Sequence, residues 1–357
     1  MVSSTGPAAR ILPKVDLYSD TVTRPTSAMR RAIAEAEVGN EQAEEDPTVN
    51  RLQDMVAELL GKERAVFLPS GTMCNEIAYR VWCDHGDEII LDTTAHALHF
   101  ESGGPGALAG AMTRTISGVR GIFDGAAVDE MIRPKTRHAP RQTLISIENT
   151  ANLGGGAIWP TETIESVADS ADRHGLKLHM DGARLLNAVV ASGTAARDFA
   201  ARCDSAWIDL SKGLGCPVGA VLAGSDAFIE EAWRFKHQFG GAMRQAGIIA
   251  AAGVYALEHH VDRLAEDHAH ARRLADGVVD VKGIRVNPNE VETNMVYFDV
   301  SGTGVTGAEF SQRLLAEHEV RIGAMGPYLM RAVTHLDVGN PEIELAVAAI
   351  RAVAAEV

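Results

Sequence analysis

A chain of 357 residues, 46% hydrophobic and 23% charged, is too long for one small core and too apolar for disorder, so a large domain with a smaller one is expected. A formal net charge of −15 excludes the broad basic footprint that nucleic acid or an anionic membrane surface requires. Cys74, Cys83, Cys203 and Cys216 show no CxxC or zinc spacing and read as reduced thiols; with no apolar leader in residues 1–10, the expectation is a cytoplasmic protein.

Residues 1–15 read as a flexible tail. Residues 26–36 predict a helix, with Thr26 or Ser27 as cap and Met29 and Ile33 on one face. An acidic loop follows at 41–47, and Pro47 opens a second helix carrying Leu52, Met55, Leu59 and Leu60. An alternation then begins: strands at 65–68, 88–92, 143–148, 177–180, 207–210 and 219–223, with helices at 71–82 and 161–174 between them. Runs such as Ile89-Ile90-Leu91 suit strands buried on both faces, so the fold class is α/β around a mostly parallel sheet. Helix dominates 243–276, and the apolar run 246–257 is too short to cross a bilayer. Strand, helix, strand and helix at 295–300, 307–317, 330–335 and 341–354 close the chain. The expected division is a large domain over 16–250 and a smaller C-terminal α/β domain over 251–357.

The chemistry-bearing residues follow strand ends. Lys212 lies in Asp209-Leu210-Ser211-Lys212-Gly213-Leu214-Gly215, just past an apolar strand. A lysine held in a tight glycine turn suits a Schiff base, although a turn lysine facing water is equally consistent with this motif alone. Asp181 ends the strand before it, in His179-Met180-Asp181-Gly182-Ala183-Arg184. Ligands of doubly wound sheets bind outside the carboxyl ends of the strands, so the two can share a crevice. A lysine for an aldimine and an aspartate beside a ring nitrogen are what pyridoxal 5′-phosphate needs; a helix-capping role is the alternative for Asp181. Gly71 and Thr72 open a helix, a natural phosphate site, and Arg244 follows a glycine pair that lets it add a second contact. His96 can stack on a cofactor ring, while Arg331, Arg184 and Ser19 are candidates for an amino-acid carboxylate. No GxGxxG follows a strand, which argues against a nicotinamide enzyme.

These stretches together resemble the low-specificity L-threonine aldolases, a family of fold-type-I pyridoxal-phosphate enzymes. The likeness is carried by Asp16-Leu17-Tyr18-Ser19-Asp20-Thr21-Val22-Thr23-Arg24-Pro25, Glu45-Asp46-Pro47-Thr48-Val49, Phe67-Leu68-Pro69-Ser70-Gly71-Thr72, Ala95-His96, Phe100-Glu101, Glu148-Asn149-Thr150, Asp181-Gly182-Ala183-Arg184, Ser211-Lys212-Gly213-Leu214-Gly215, Met243-Arg244-Gln245 and Val333-Thr334-His335-Leu336. They run in family order over nearly the whole chain.

The resemblance implies that Lys212 carries the cofactor, Asp181 pairs with its pyridine nitrogen, and Gly71, Thr72 and Arg244 hold its phosphate. It implies that His96 stacks on the ring and assists proton transfer, that Arg184 lies near the phenolic oxygen and the substrate carboxylate, and that Ser19 and Arg331 bind that carboxylate. The implied reaction is reversible cleavage of a β-hydroxy-α-amino acid such as threonine, allo-threonine or phenylserine to glycine and an aldehyde. β-Elimination, or a retro-aldol on another hydroxy amino acid, is the alternative. A homodimer or homotetramer is implied, with small-molecule partners only and no catalytic metal.

Three positions depart from the family pattern: Gln42-Ala43-Glu44-Glu45 replaces a segment with a tyrosine-glycine pair, Ala97-Leu98 replaces Asn-Tyr, and Ala151 stands where a histidine is usual. Ala151 removes a group thought to touch the β-hydroxyl, leaving His96, His99 or a water as base. It also suggests an enlarged aldehyde pocket.

Overall fold

The computed structural model describes residues 12–356. Its strands, in chain order, are β1 (Val15–Asp16), β2 (Arg64–Leu68), β3 (Glu88–Asp92), β4 (Met112–Ile116), β5 (Gln142–Glu148), β6 (Lys177–Asp181), β7 (Ser205–Asp209), β8 (Ala220–Gly224), β9 (Met295–Asp299), β10 (Val320–Arg321), β11 (Gly323–Ala324) and β12 (Leu329–Val333). The chain divides into two compact units: Thr23–Ala265, and the described part of Met1–Val22 together with Glu266–Val357.

The larger unit is built on a seven-stranded sheet of order β2-β8-β7-β6-β5-β3-β4. β8 runs antiparallel to both its neighbours and the other strands are parallel, so β2, β3, β5, β6 and β7 all end at one edge. Every residue of β3, β7 and β8 is buried, as continuous apolar runs require. The helix Gly71–Trp82 starts directly from β2, with Ser70 as its cap. The helix Thr161–His174 covers the connection from β5 to β6 and stops at Gly175, which has φ 71°. This is the helical crossover that joins parallel neighbours in a sheet. β4 lies at the sheet edge outside the expected strands; Met112, Thr113 and Thr115 are exposed, so its sequence carries no burial signal.

The smaller unit has its own core of Val15, Leu17, Leu274, Val296, Phe298, Phe310, Ile343 and Ile350, among others. Its antiparallel sheet has order β11-β12-β9, and β1 pairs in parallel with β10.

The boundary differs from the one expected at residue 250. That position lies inside the helix Gly247–His259, whose Ala250, Ala252, Val254 and Ala256 belong to the larger core. The expected tail also differs: Val15 pairs with Val320, while residues 1–11 lie outside the described residues. Among the described residues no helix is long and apolar enough to cross a membrane.

Candidate active site at the carboxyl edge of the large sheet

Loops leaving β2, β3, β5, β6 and β7 bring Gly71 and Thr72, His96, Glu148, Asp181 and Arg184, and Lys212 to the same edge of the sheet. This is where an open α/β sheet binds its ligands.

Lys212 is held from two directions. Its backbone carbonyl accepts from Thr23 Oγ1 at 3.0 Å. Its Nζ lies 3.0 Å from Asp209 Oδ2, with the lysine side chain 14% exposed. Asp209 Oδ1 accepts from the amide and hydroxyl of Ser211 at 2.7 and 2.8 Å, which fixes the turn. The ammonium is also 5.8 Å from the Trp207 ring centroid.

Trp207 explains Gly71. A Cβ there would lie 2.3 Å from the indole and 3.3 Å from Asp209 Oδ2. The Ser70 hydroxyl accepts from Met73 N at 3.2 Å, so the amides of Gly71 and Thr72 lie ahead of the helix's internal bonds. The loop carrying Arg244 packs on this first turn: a Cβ on Gly241 would meet Met73 Sδ at 2.4 Å. Arg244 donates to Gln42 Oε1 at 3.0 Å, and Gln42 Nε2 donates to Met243 O at 2.8 Å. Beneath them Lys236 and Glu41 form a wholly buried ion pair at 2.9 Å.

Asn75 is the hub of the site. Its Nδ2 donates to Asp181 Oδ2 and to Glu101 Oε1, both at 2.8 Å. Its Oδ1 accepts from Trp207 Nε1 at 2.7 Å and from His179 Nε2 at 3.2 Å. All four of its hydrogen-bonding positions are therefore used. Burial pushes the His179 pKa down to about 3, so this imidazole is neutral. Its Nδ1 is 2.8 Å from Ser205 Oγ, whose hydroxyl donates to it and accepts from Trp82 Nε1. Asp181 Oδ1 accepts from Ala183 N at 3.0 Å.

His96 is anchored at its backbone amide, which donates to Glu148 Oε2 at 2.7 Å, and at Nδ1, 2.8 Å from Glu101 Oε1. Side-chain atoms of His96, Glu101 and Asp181 converge within 4.8 Å of one another. Burial lowers the His96 pKa, but the hydrogen bond to Glu101 and the charges of Asp181, Glu101 and Glu148 outweigh it and the net shift is upward. Burial and the neighbouring Asp181 push Glu148 up to about 7, against the amides of Asn152 and His96. Arg184 is buried at the start of the helix Leu185–Ser192.

Ser19 and Arg331 belong to the smaller unit, where both are buried. Ser19 Oγ accepts from the amide and hydroxyl of Thr21 at 3.2 and 2.9 Å, and Arg331 Nη2 donates to Tyr18 O at 3.4 Å.

The sequence profile of the beta-eliminating lyases matches residues 16–301. A probable low-specificity L-threonine aldolase 2 of Arabidopsis thaliana is 42% identical over 334 residues, covering 92% of this chain and 94% of its own. The low specificity L-threonine aldolase of Escherichia coli K12 is 40% identical over 330 residues, covering 92% and 96%.

The chain belongs to the beta-eliminating lyase family, among the low-specificity L-threonine aldolases. It shares the fold-type-I architecture of that family: the threonine aldolase of Leishmania major superposes with a TM-score of 0.81 at 20% identity, over 95% of this chain and 99% of that one.

For a member of this family, Ala151 does not open the space expected of it. It is buried, and a Cβ on Gly121 or Gly154 would lie 2.8 or 2.9 Å from its own Cβ. The cavity it lines with His96, Gly121, Glu148 and Asp181 measures about 10 Å³, room for a single water. The turns around residues 121 and 154 fill the volume that a larger side chain would take. His99 is committed through Nε2 to Thr93 O at 2.8 Å.

The enzymes of this family depend on pyridoxal phosphate. The residues fit the group: a mostly buried lysine at a strand end, a buried carboxylate, and an open helix N-terminus beside an arginine loop. Asp209 is the discordant member, a carboxylate close to the place an anion would take. Sequence reasoning gave no role to Asn75, Glu101, Glu148 or Asp209, although all four stand inside or beside the motifs it singled out.

Proposed function

We propose that this chain is a pyridoxal-phosphate-dependent aldolase that reversibly cleaves β-hydroxy-α-amino acids to glycine and an aldehyde. The observation that carries the reading is the convergence of His96 and Asp181 at the sheet edge to which β7 also delivers Lys212. In this reading Lys212 holds the cofactor, Asp181 keeps its ring nitrogen protonated, and Gly71, Thr72 and Arg244 bind its phosphate. Arg184 in the larger unit, and Ser19 and Arg331 in the smaller one, are the candidates for the amino-acid carboxylate, whose fixation would orient the Cα–Cβ bond. When bound, the cofactor supplies an electron sink for the pair released at Cα.

His96 is the base. Its Nδ1 is tied to Glu101, which leaves Nε2 to take the β-hydroxyl proton. His99 is turned to the Thr93 carbonyl and is not needed. Asn75 keeps the Asp181 carboxylate fixed by donating to one of its oxygens.

The test is absorbance of the purified protein before and after L-threonine, L-allo-threonine and phenylserine, with aldehyde and glycine quantified together. A visible-edge band that disappears in Lys212→Ala, with equal yields of aldehyde and glycine, is the expected result. Ammonia and a keto acid instead would assign β-elimination. A protein that acquires no band when pyridoxal phosphate is added would end this reading.

A further inference from the structure

Three oxygens in the shell beneath His96 have no hydrogen-bond donor: both carboxyl oxygens of Glu76, and Oε2 of Glu101. Glu76 comes from the helix Gly71–Trp82, and Glu101 from the turn after the short helix His96–His99. Both residues are buried, and their carboxyls are within hydrogen-bonding reach of each other. The turn closes on the Glu76 carboxyl, since a Cβ on Gly104 would sit 1.9 Å from Glu76 Oε1.

Two ionised carboxylates cannot share such a contact away from water, so the pair holds a proton at neutral pH. Burial and the charge of Glu101 push Glu76 up to about 8, which places that proton on Glu76. Its O–H then donates to Glu101 Oε2, and two of the three orphaned oxygens gain a partner. Glu101 keeps the negative charge, and its Oε1 accepts from His96 Nδ1 and Asn75 Nδ2.

We propose that Glu76 and Glu101 form a proton-sharing carboxyl pair that sets the tautomer and charge of His96, with Glu76 acting as a positioning residue. The consequence for catalysis rests on His96 being the base; the pair itself does not. With Glu76 protonated, the neutral imidazole carries its hydrogen on Nδ1 and presents the Nε2 lone pair. When Glu76 ionises, a second negative charge lies behind Glu101, and His96 retains its proton on Nε2. The groups facing this cluster are Tyr79 and Cys74 on the helix of Glu76, Asp181 at the end of β6 and Glu148 at the end of β5. These are acids; Lys212, which also acts on Cys74, is a cation tied to Asp209, and His96 is the cation in direct contact with Glu101.

The test uses full-length, cofactor-loaded protein labelled with ¹⁵N-histidine, with His96→Gln identifying the His96 signals among thirteen histidines. Ring-nitrogen shifts are followed from about pH 5.5 to about pH 9.5 in the native protein and in Glu76→Gln, whose amide still donates to Glu101 but cannot ionise. The expected neutral tautomer in both is Nδ1–H. His96 should titrate at lower pH and over a narrower range in Glu76→Gln than in the native protein, with the ionisation of Glu148 near 7 common to both. The acid limb of kcat/KM should move in the same direction, with kcat near pH 8 within about threefold of native. In native protein labelled with ¹³C at glutamate carboxyls, one carboxyl should still be mostly protonated at about pH 7.5, above the value of about 7 at which Glu148 ionises. That readout does not depend on any variant folding. An Nε2–H tautomer, the same His96 titration in both proteins, or no carboxyl mostly protonated at that pH would each overturn the pair. The expected tautomer with no aldehyde release would instead overturn the aldolase reading and leave the pair standing.

Discussion

Asp209 puts a carboxylate where the proposed function needs room for an anion. Its Oδ2 is 3.0 Å from Lys212 Nζ and 3.3 Å from where a Cβ on Gly71 would lie. The ion pair neutralises it only while Lys212 is an ammonium. In the proposed function Lys212 would be bonded to the cofactor, and the carboxylate would face the phosphate proposed for Gly71 and Thr72. Two like charges a few ångströms apart in a partly buried site cost about 1–2 kcal/mol. Asp209→Asn is therefore expected to tighten pyridoxal phosphate about tenfold, as read by a cofactor titration of apoenzyme. Unchanged or weaker binding would place the phosphate elsewhere. The sequence displays Asp209 three residues before Lys212, but its closeness to Gly71 depends on β2 and β7 lying on either side of β8, which no local pattern reveals. Asn75 is hidden for the same reason, since its four partners come from three segments distant in sequence: β6, β7 and the turn after the helix His96–His99.

At the scale of elements, the local signals were strong enough to read. The helices Gly71–Trp82 and Thr161–His174 and the strand Glu88–Asp92 span the residues that the sequence pattern assigns them. What local pattern omits is how one residue serves several elements. Asp46 caps the helix Pro47–Leu60, its Oδ1 accepting from Thr48 N at 3.1 Å and Val49 N at 3.0 Å. Its Oδ2 accepts from Gly39 N at 3.1 Å and from Gly247 N at 2.8 Å, where the helix Gly247–His259 begins. One buried carboxylate thus satisfies four amides from three segments. Losing the cap alone costs about 1 kcal/mol, and each amide stranded away from water adds to it. Asp46→Ala should destabilise the fold by about 3–4 kcal/mol in urea unfolding. Asp46→Asn keeps one accepting oxygen and should lose roughly half as much. A loss in Asp46→Ala no larger than a single cap would show that water replaces the carboxylate.

For the whole molecule, the division into units was legible in outline: a βα alternation, then a helical stretch, then a short αβ ending. Its edges were not legible, because the smaller core draws Val15 and Leu17 from the other end of the chain, and a contact that distant in sequence leaves no periodicity to read. Charge acts at this scale too. Glu76 and Glu148 have pKa values raised in the fold from 4.5 to about 8 and about 7. A carboxyl with a raised folded pKa contributes stability that is complete below its unfolded pKa, near 4.5, and is lost as pH rises through the folded value. Both therefore weaken the fold between about pH 5 and about pH 8. The net charge of −15 at pH 7 adds general repulsion over the same range. Salt separates the two contributions, since a Debye length of about 8–10 Å screens surface charges but not buried acids. Tm should fall from about pH 6 to about pH 9; 0.3–0.5 M NaCl should recover part of the loss, and Glu76→Gln a further part that persists at high salt. A fall abolished entirely by salt would mean that the buried acids carry none of it. A Glu76→Gln protein that parallels the native curve would mean that Glu76 is already ionised at neutral pH.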